Sequence, residues 1–105
     1  MKGDNIKLAN YNKMKKSIWK FQLNPNDKVF VEMPKNAEIL SVQTQKETPC
    51  IWALVDPNAD KEERCFEVFE TGHPVHYDMG VDRKFIGTFQ LYDGDLVFHL
   101  FERLS

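Results

Sequence analysis

The stretch Thr71-Gly72-His73-Pro74-Val75-His76-Tyr77-Asp78 holds the densest set of reactive groups in the chain, with two imidazoles, a phenol and a carboxylate inside six residues. Such groups bind zinc and other borderline metals when three or four of them converge on one point. A His-x-x-His pair converges only on a helical or sharply turned backbone, and Pro74 opposes a helix. No third ligand recurs at metal spacing elsewhere. The segment therefore reads as an exposed, partly aromatic turn, and neither a metal centre nor a hydrolase built on His73, His76 and Asp78 is expected. No cofactor is expected either.

Other catalytic arrangements are weaker still. A histidine close to Cys50 or Cys65 would raise its thiolate fraction, but nothing local marks either thiol as reactive. The pair lacks C-x-x-C spacing and is too sparse to staple a domain, so reduced thiols are the ordinary reading, with a single disulfide as the alternative. His99 sits mid-strand beside Thr88, the setting of a hydrogen-bonded structural histidine. The acids of Asp56-Pro57-Asn58-Ala59-Asp60-Lys61-Glu62-Glu63-Arg64 belong to a solvated connection. There is no Gly-rich phosphate cradle. Single-stranded nucleic acid calls for aromatics among positive charges, whereas the aromatics here lie in the acidic part of the chain, so nucleic acid is disfavoured. What remains is a recognition patch: Gln43, Gln45 and Trp52, with Gln90 and His99 across the sheet.

These residues need a scaffold, and the composition supplies one. The 105 residues suffice for a single core, and eight Phe, three Tyr and two Trp argue for a folded chain. No apolar run is long enough to cross a bilayer as a helix, and no secretory signal follows the first lysines. A cytoplasmic protein is expected. Lys2, Lys7, Lys13, Lys15 and Lys16 stand against Asp4 in residues 1–17, leaving nine bases and fifteen acids in the rest. Residues 1–17 are read as a lysine-rich leader, poorly ordered or forming a short helix over Ile6–Lys16, and residues 18–105 as the folded domain.

From Ile18 onward, β-branched and aromatic runs are cut by Pro, Asn, Asp and Gly, which is the all-β pattern. Strands are expected near 18–23, 28–33, 38–45, 50–56, 64–71, 84–92 and 95–103, with a short extra one at 75–77. Asp93-Gly94 predicts a type I′ turn. It sets Leu91 against Leu96, Phe89 against Phe98, Thr88 against His99 and Ile86 against Phe101. A second hairpin is expected to pair Gln45 with Cys50, placing Leu40, Val42 and Thr44 on one face with Val55, Ala53 and Ile51. Trp19, Phe21 and Leu23 match Val29, Val31 and Met33 either as a hairpin or from different sheets. The expected architecture is a single-domain antiparallel β-sandwich of about seven strands, with a small β-barrel as the alternative.

The strands at 50–56, 84–92 and 95–103 are apolar on both faces. Trp52, Leu54, Ile86, Val97 and Phe101 are left over once one core is filled, although an outer face ordinarily alternates to polar. A cover is expected from the N-terminal segment, a second copy of the chain or a partner.

Several stretches taken together resemble a family of small uncharacterised proteins encoded by tailed phages and prophages. They are Ile18-Trp19-Lys20-Phe21, Ile39-Leu40-Ser41-Val42-Gln43, Ile51-Trp52-Ala53-Leu54-Val55-Asp56-Pro57, Thr71-Gly72-His73-Pro74, Phe85-Ile86-Gly87-Thr88-Phe89-Gln90 and Leu96-Val97-Phe98-His99. The resemblance spans nearly all of residues 18–103, leaves out the leader, and implies a phage-type accessory gene expressed in bacterial cytoplasm. It carries over no catalytic residue. Together these readings lead to a non-enzymatic binding protein that engages a host or phage protein, for example to inhibit a bacterial defence system, and that can form a homodimer. The alternative is a small-molecule binder for a nucleotide signal, with Trp52 stacking, Arg64 offering charge and the His73–Tyr77 loop, His76 included, acting as a gate.

Overall fold

The computed structural model describes residues 15–24, 26–77 and 80–105. The expected leader therefore lies outside the described residues up to position 14, as do Asp78 and the helix proposed over Ile6–Lys16 except for its last two residues. Seven strands run in chain order: β1 (Ser17–Gln22), β2 (Lys28–Pro34), β3 (Glu38–Gln45), β4 (Thr48–Val55), β5 (Lys61–Glu70), β6 (Arg83–Leu91) and β7 (Leu96–Arg103). They form two antiparallel sheets, ordered β1-β4-β3 and β2-β5-β7-β6. The sandwich is thus the observed architecture, and the barrel alternative is not adopted. No strand forms at 75–77. That segment belongs to a connection that lies over a sheet face, where it joins no strand edge.

Period-two alternation decides what each sheet turns inward. β1 contributes Trp19 and Phe21, and Leu23 follows directly behind it. β2 contributes Val29, Val31 and Met33 from the opposite sheet. Of the two arrangements left open for these strands, the structure adopts separate sheets. Ile51, Ala53 and Val55 of β4 meet Phe66 and Val68 of β5, Leu100 of β7 and Phe89 and Leu91 of β6 in one buried cluster. Burying a side chain such as Phe66 completely contributes roughly 1.5–3 kcal/mol, so this layer carries most of the fold.

The two tight hairpins differ in how far their sequences announced them. At Asp93-Gly94 both central residues have positive φ (52° and 89°) and Asp95 N donates to Tyr92 O at 3.0 Å, as the predicted type I′ turn requires, but Tyr92 is left-handed too (φ 53°) and the ladder closes at Leu91↔Leu96. At β3–β4 the strands close on Gln45↔Thr48, two residues tighter than the expected Gln45–Cys50 pairing. Lys46 and Glu47 take the left-handed conformation (φ 49° and 62°) without a glycine or asparagine. Pro49 tolerates this register because the pair next to the closing one makes no ladder bonds between its strands. Its missing N–H therefore costs nothing toward β3, and its carbonyl accepts from Leu23 N at 2.9 Å.

Two β-bulges correct the expected faces. One lies between Ile39 and Ser41, so Ile39 takes the place opposite Ala53, and Leu40, expected in the core, turns out to solvent at 45% exposure. The other lies between Phe85 and Gly87, so Phe85 replaces Ile86 as the partner of Phe101. An extra residue resets the alternation beyond it. The bulges fall on β3 and β6, which are edge strands of the two sheets. These strands meet where Thr44 Oγ1 donates to the Gln90 carbonyl at 2.7 Å.

Candidate functional site

The outward residues of the four-stranded sheet stand in rows fixed by register. Phe69, His99 and Thr88 form one row, Glu67, Phe101 and Phe85 the next, and Cys65, Arg103 and Arg83 the third. Phe101 presents an edge-to-face contact to Phe69 (centroids 5.7 Å apart) and another to Phe85 (5.3 Å), a ladder of three rings across β5, β7 and β6.

Residues 71–82 connect β5 to β6, and their described first part, residues 71–77, lies over this ladder as a strap. Its first turn is fixed by His73 N donating to Glu70 O at 3.0 Å, with Gly72 at φ 90°. That is the third position of a type II turn, where a side chain is strained. Arg83 fastens the far part. Its Nη1 donates to the His76 carbonyl at 2.6 Å. The guanidinium carbon lies 5.1 Å from the Tyr77 ring centre and 5.5 Å from that of Phe69. The same guanidinium holds Glu67, Nε to Oε1 at 2.8 Å, with Arg103 Nη1 at 3.7 Å from Oε2. The Arg83 and Glu67 side chains are only 4% and 10% exposed, so an outward-facing ion pair is buried by the strap above it.

His99 is held between two hydroxyls, Nε2 at 2.7 Å from Thr71 Oγ1 and Nδ1 at 2.9 Å from Thr88 Oγ1. A neutral imidazole donates from one nitrogen and accepts at the other, and a hydroxyl serves either role. The two contacts therefore fix the ring's orientation whichever tautomer is present. Two cavities flank the Glu70–His73 corner of the strap. The larger, about 420 Å³, is bordered by Asp27, Glu67, Phe69, Pro74, His76 and Phe98. The smaller, about 290 Å³, is bordered by Thr71, Val75, Phe85, His99 and Phe101.

The residues singled out in the sequence do not assemble into one site. His73, His76 and Tyr77 belong to the strap. His73 Nε2 lies 3.5 Å from Glu70 Oε2, His76 contributes its carbonyl, and Tyr77 covers Arg83. Among the described residues no group of three His, Cys, Asp or Glu could hold a metal. Trp52 stands on the outer side of the three-stranded sheet, with the Lys20 ammonium 5.9 Å from its ring centre and Lys20 Nζ donating to Gln45 Oε1 at 2.8 Å. His99 stands on the outer side of the other sheet, so the expected patch linking Trp52 to His99 is not formed. Gln43 and Gln90 do come together, lining a groove at the β3–β6 junction.

Arg64 is engaged within the protein, and its side chain is 17% exposed. It binds Glu102 through two nitrogens (2.6 and 2.8 Å) and donates to the Ala37 carbonyl at 2.5 Å. The Glu102 hydrogen bond raises its pKa further above the ordinary guanidinium value, against the opposing effect of burial. Both cysteines are free, Cys50 buried and Cys65 half-buried. Burial pushes the Cys65 thiol above its ordinary pKa, a shift that nearby Lys28 partly offsets.

Sequence reasoning passed over Glu67, Arg83 and Phe69, which hold the strap. The turn at Asp93-Gly94 counts back along β6 and β7 correctly as far as Gly87↔Leu100. The bulge at Ile86 then shifts Arg83 into register with Arg103, and no residue type signals that shift.

The fold and site define a class: a two-sheet antiparallel β-sandwich whose larger sheet carries an aromatic outer face under a strap pinned by an ion pair. Residues 14–105 match the model of a family described as a domain of unknown function, DUF7352, and the chain belongs to that family. Among curated proteins and among solved structures, none matches the chain.

Proposed function

We propose that this is a non-enzymatic binding protein that engages another protein through the outer face of its three-stranded sheet. One observation carries the reading. Ile18 and Leu40 are 62% and 45% exposed on that face, beside half-buried Leu54 and Trp52. The register places Ile18 next to Leu54, Leu54 next to Glu38, and Trp52 between Lys20 and Ser41. Ile18 and Leu54 are therefore direct neighbours, and Leu40 is the bulged residue beside Ser41, the partner of Trp52. Contiguous exposed apolar surface with an aromatic at its centre is the anatomy of an interface. Lys20, Gln43 and Gln45 supply a polar rim. The resemblance to phage-encoded proteins gives the setting, in which the partner is a host or phage protein such as a component of a bacterial defence system.

Affinity purification from infected cells, followed by rebinding of the purified partner, tests the proposal. The double variant Ile18→Asp/Leu40→Asp should keep its fold and bind the partner at least about tenfold more weakly. On complex formation, slowed hydrogen exchange should map to β1, β4 and β3. A partner held equally well by the double variant, or protection confined to the strap side, refutes the reading.

A further inference from the structure

The smaller cavity under the strap is a second site, on the opposite side of the molecule from the proposed partner face and independent of it. We infer that this cavity binds a small organic cation carrying a flat aromatic ring. Three features of its walls point the same way.

The first is shape and surface. The space of about 290 Å³ is walled by the rings of Phe69, Phe85 and Phe101. Ligand pockets span roughly 300–1,000 Å³, so this one suits a molecule of one or two fused rings. Phe85 is 54% exposed at the mouth although it packs edge-on against Phe101 inside. An exposed ring at the mouth can stack against an incoming ring.

The second is charge. Glu70 lies at the rim between the two cavities and lines both. Its Oε2 stands 3.5 Å from His73 Nε2, at the long end of ion-pair geometry. A carboxylate and the negative face of an exposed phenyl ring, Phe85, favour a cation over an anion, while the Phe69 ring already carries the Arg83 guanidinium 5.5 Å from its centre. A phosphate-bearing ligand would meet this carboxylate at the entrance, so the chemistry favours an amine over a nucleotide.

The third is construction. The polar floor is His99, fixed by Thr71 on the strap and Thr88 on β6. The strap itself is pinned by the buried Arg83–Glu67 pair. Walls of this kind are preorganised, so less affinity is lost to ordering them when a ligand enters.

Nuclear magnetic resonance titration of the full chain tests the assignment, using tryptamine and indole-3-propionate as probes of one ring type and opposite charge. Tryptamine should shift the amides of Phe69 to His73, Val75, Phe85, His99 and Phe101 saturably. Indole-3-propionate should bind at least about tenfold more weakly. Glu70→Gln should weaken tryptamine by a similar factor while leaving indole-3-propionate no weaker, and Phe85→Ala, at an exposed position, should weaken both. Each variant's unligated spectrum reports whether it is folded. Equal binding of the two probes, no effect of Glu70→Gln in a folded protein, shifts centred on Trp52, or no saturable shift up to the order of 10 mM probe would each overturn the assignment.

Discussion

Both sheets of the sandwich are apolar on their outer sides, and they resolve that surplus differently. The four-stranded sheet lays its own β5–β6 connection over Phe69 and Phe101 and buries an arginine–glutamate pair beneath it, while Phe30 and Phe85 at its margins stay 58% and 54% exposed. Over the three-stranded sheet no described segment passes, and Ile18 and Leu40 stay open to water. The alternation of apolar residues in the sequence is similar for the two. What differs is connection length. Lys46-Glu47 joins β3 to β4 with two residues, too few to reach back over a sheet, whereas twelve residues, 71–82, separate β5 from β6. A long connection can serve as cover, and a tight turn leaves the covering to another surface.

The largest effect is expected where the cover is fastened. Arg83→Ala removes the nearer partner of Glu67, leaving Arg103 at 3.7 Å, together with the donor to the His76 carbonyl and the cation beneath Tyr77. Breaking a buried ion pair from one side costs about 3–5 kcal/mol, because the remaining charge stays buried. Chemical denaturation should show a loss of that size, and amide exchange across residues 71–77 should accelerate more than the global loss explains. A loss below about 1 kcal/mol would mean that the strap is not held by this pair. The two sheets would then be alike in having loosely covered outer faces.

The sequence makes strand existence and the core almost fully legible, because alternation over five to ten residues leaves one side apolar whatever the pairing. Trp19, Phe21, Val29 and Val31 share an apolar side even with their sheet membership open. Register was legible at Asp93-Gly94, where the residue types demand left-handed backbone. It was not legible at Lys46-Glu47, where neither residue does and tertiary pairing imposes the conformation. The two bulges escaped for the same reason, and with them the outward turn of Leu40 and the position of Arg83. The site was half visible. His73, His76, Tyr77 and His99 were named, but the rows that join His99 to Phe69 and Phe101 depend on β5 pairing with β7, a contact between distant parts of the chain. The sequence sets Trp52 on one face with Gln90 and His99, whereas the fold puts it on the outer side of the other sheet and ties Arg64 to buried Glu102.

A smaller effect is expected at the edge shared by the two faces. Gly87 follows the β6 bulge, and a Cβ built there would lie 3.0 Å from Cγ1 of Val42 on β3. Val42 is buried, so it has little room to give. Gly87→Ala should cost about 1–3 kcal/mol by overpacking. If β3 and β6 are instead free to part, the substitution will be neutral or slightly stabilising through lost chain entropy. The denaturation midpoint separates the two results and shows whether the strapped sheet and the bare sheet are rigidly joined at this corner.

The smallest effect on the isolated chain should come from the bare face, and its smallness is informative. Ile18→Thr and Leu40→Thr alter exposed side chains that contribute little to the core, so each should shift stability by no more than about 0.5 kcal/mol. Both replacements keep or add β-branching and suit a strand. If the face instead pairs with a second copy of the chain, light scattering of the native protein will give about twice the monomer mass of 12.3 kDa. The same substitutions would then lower both the mass and the unfolding midpoint in a concentration-dependent way. A monomer with unchanged stability leaves Ile18 and Leu40 without a role in holding the fold, which is what an open docking face requires. A large loss in a monomer would mean that the chain itself covers them, and the contrast between the two sheets would disappear.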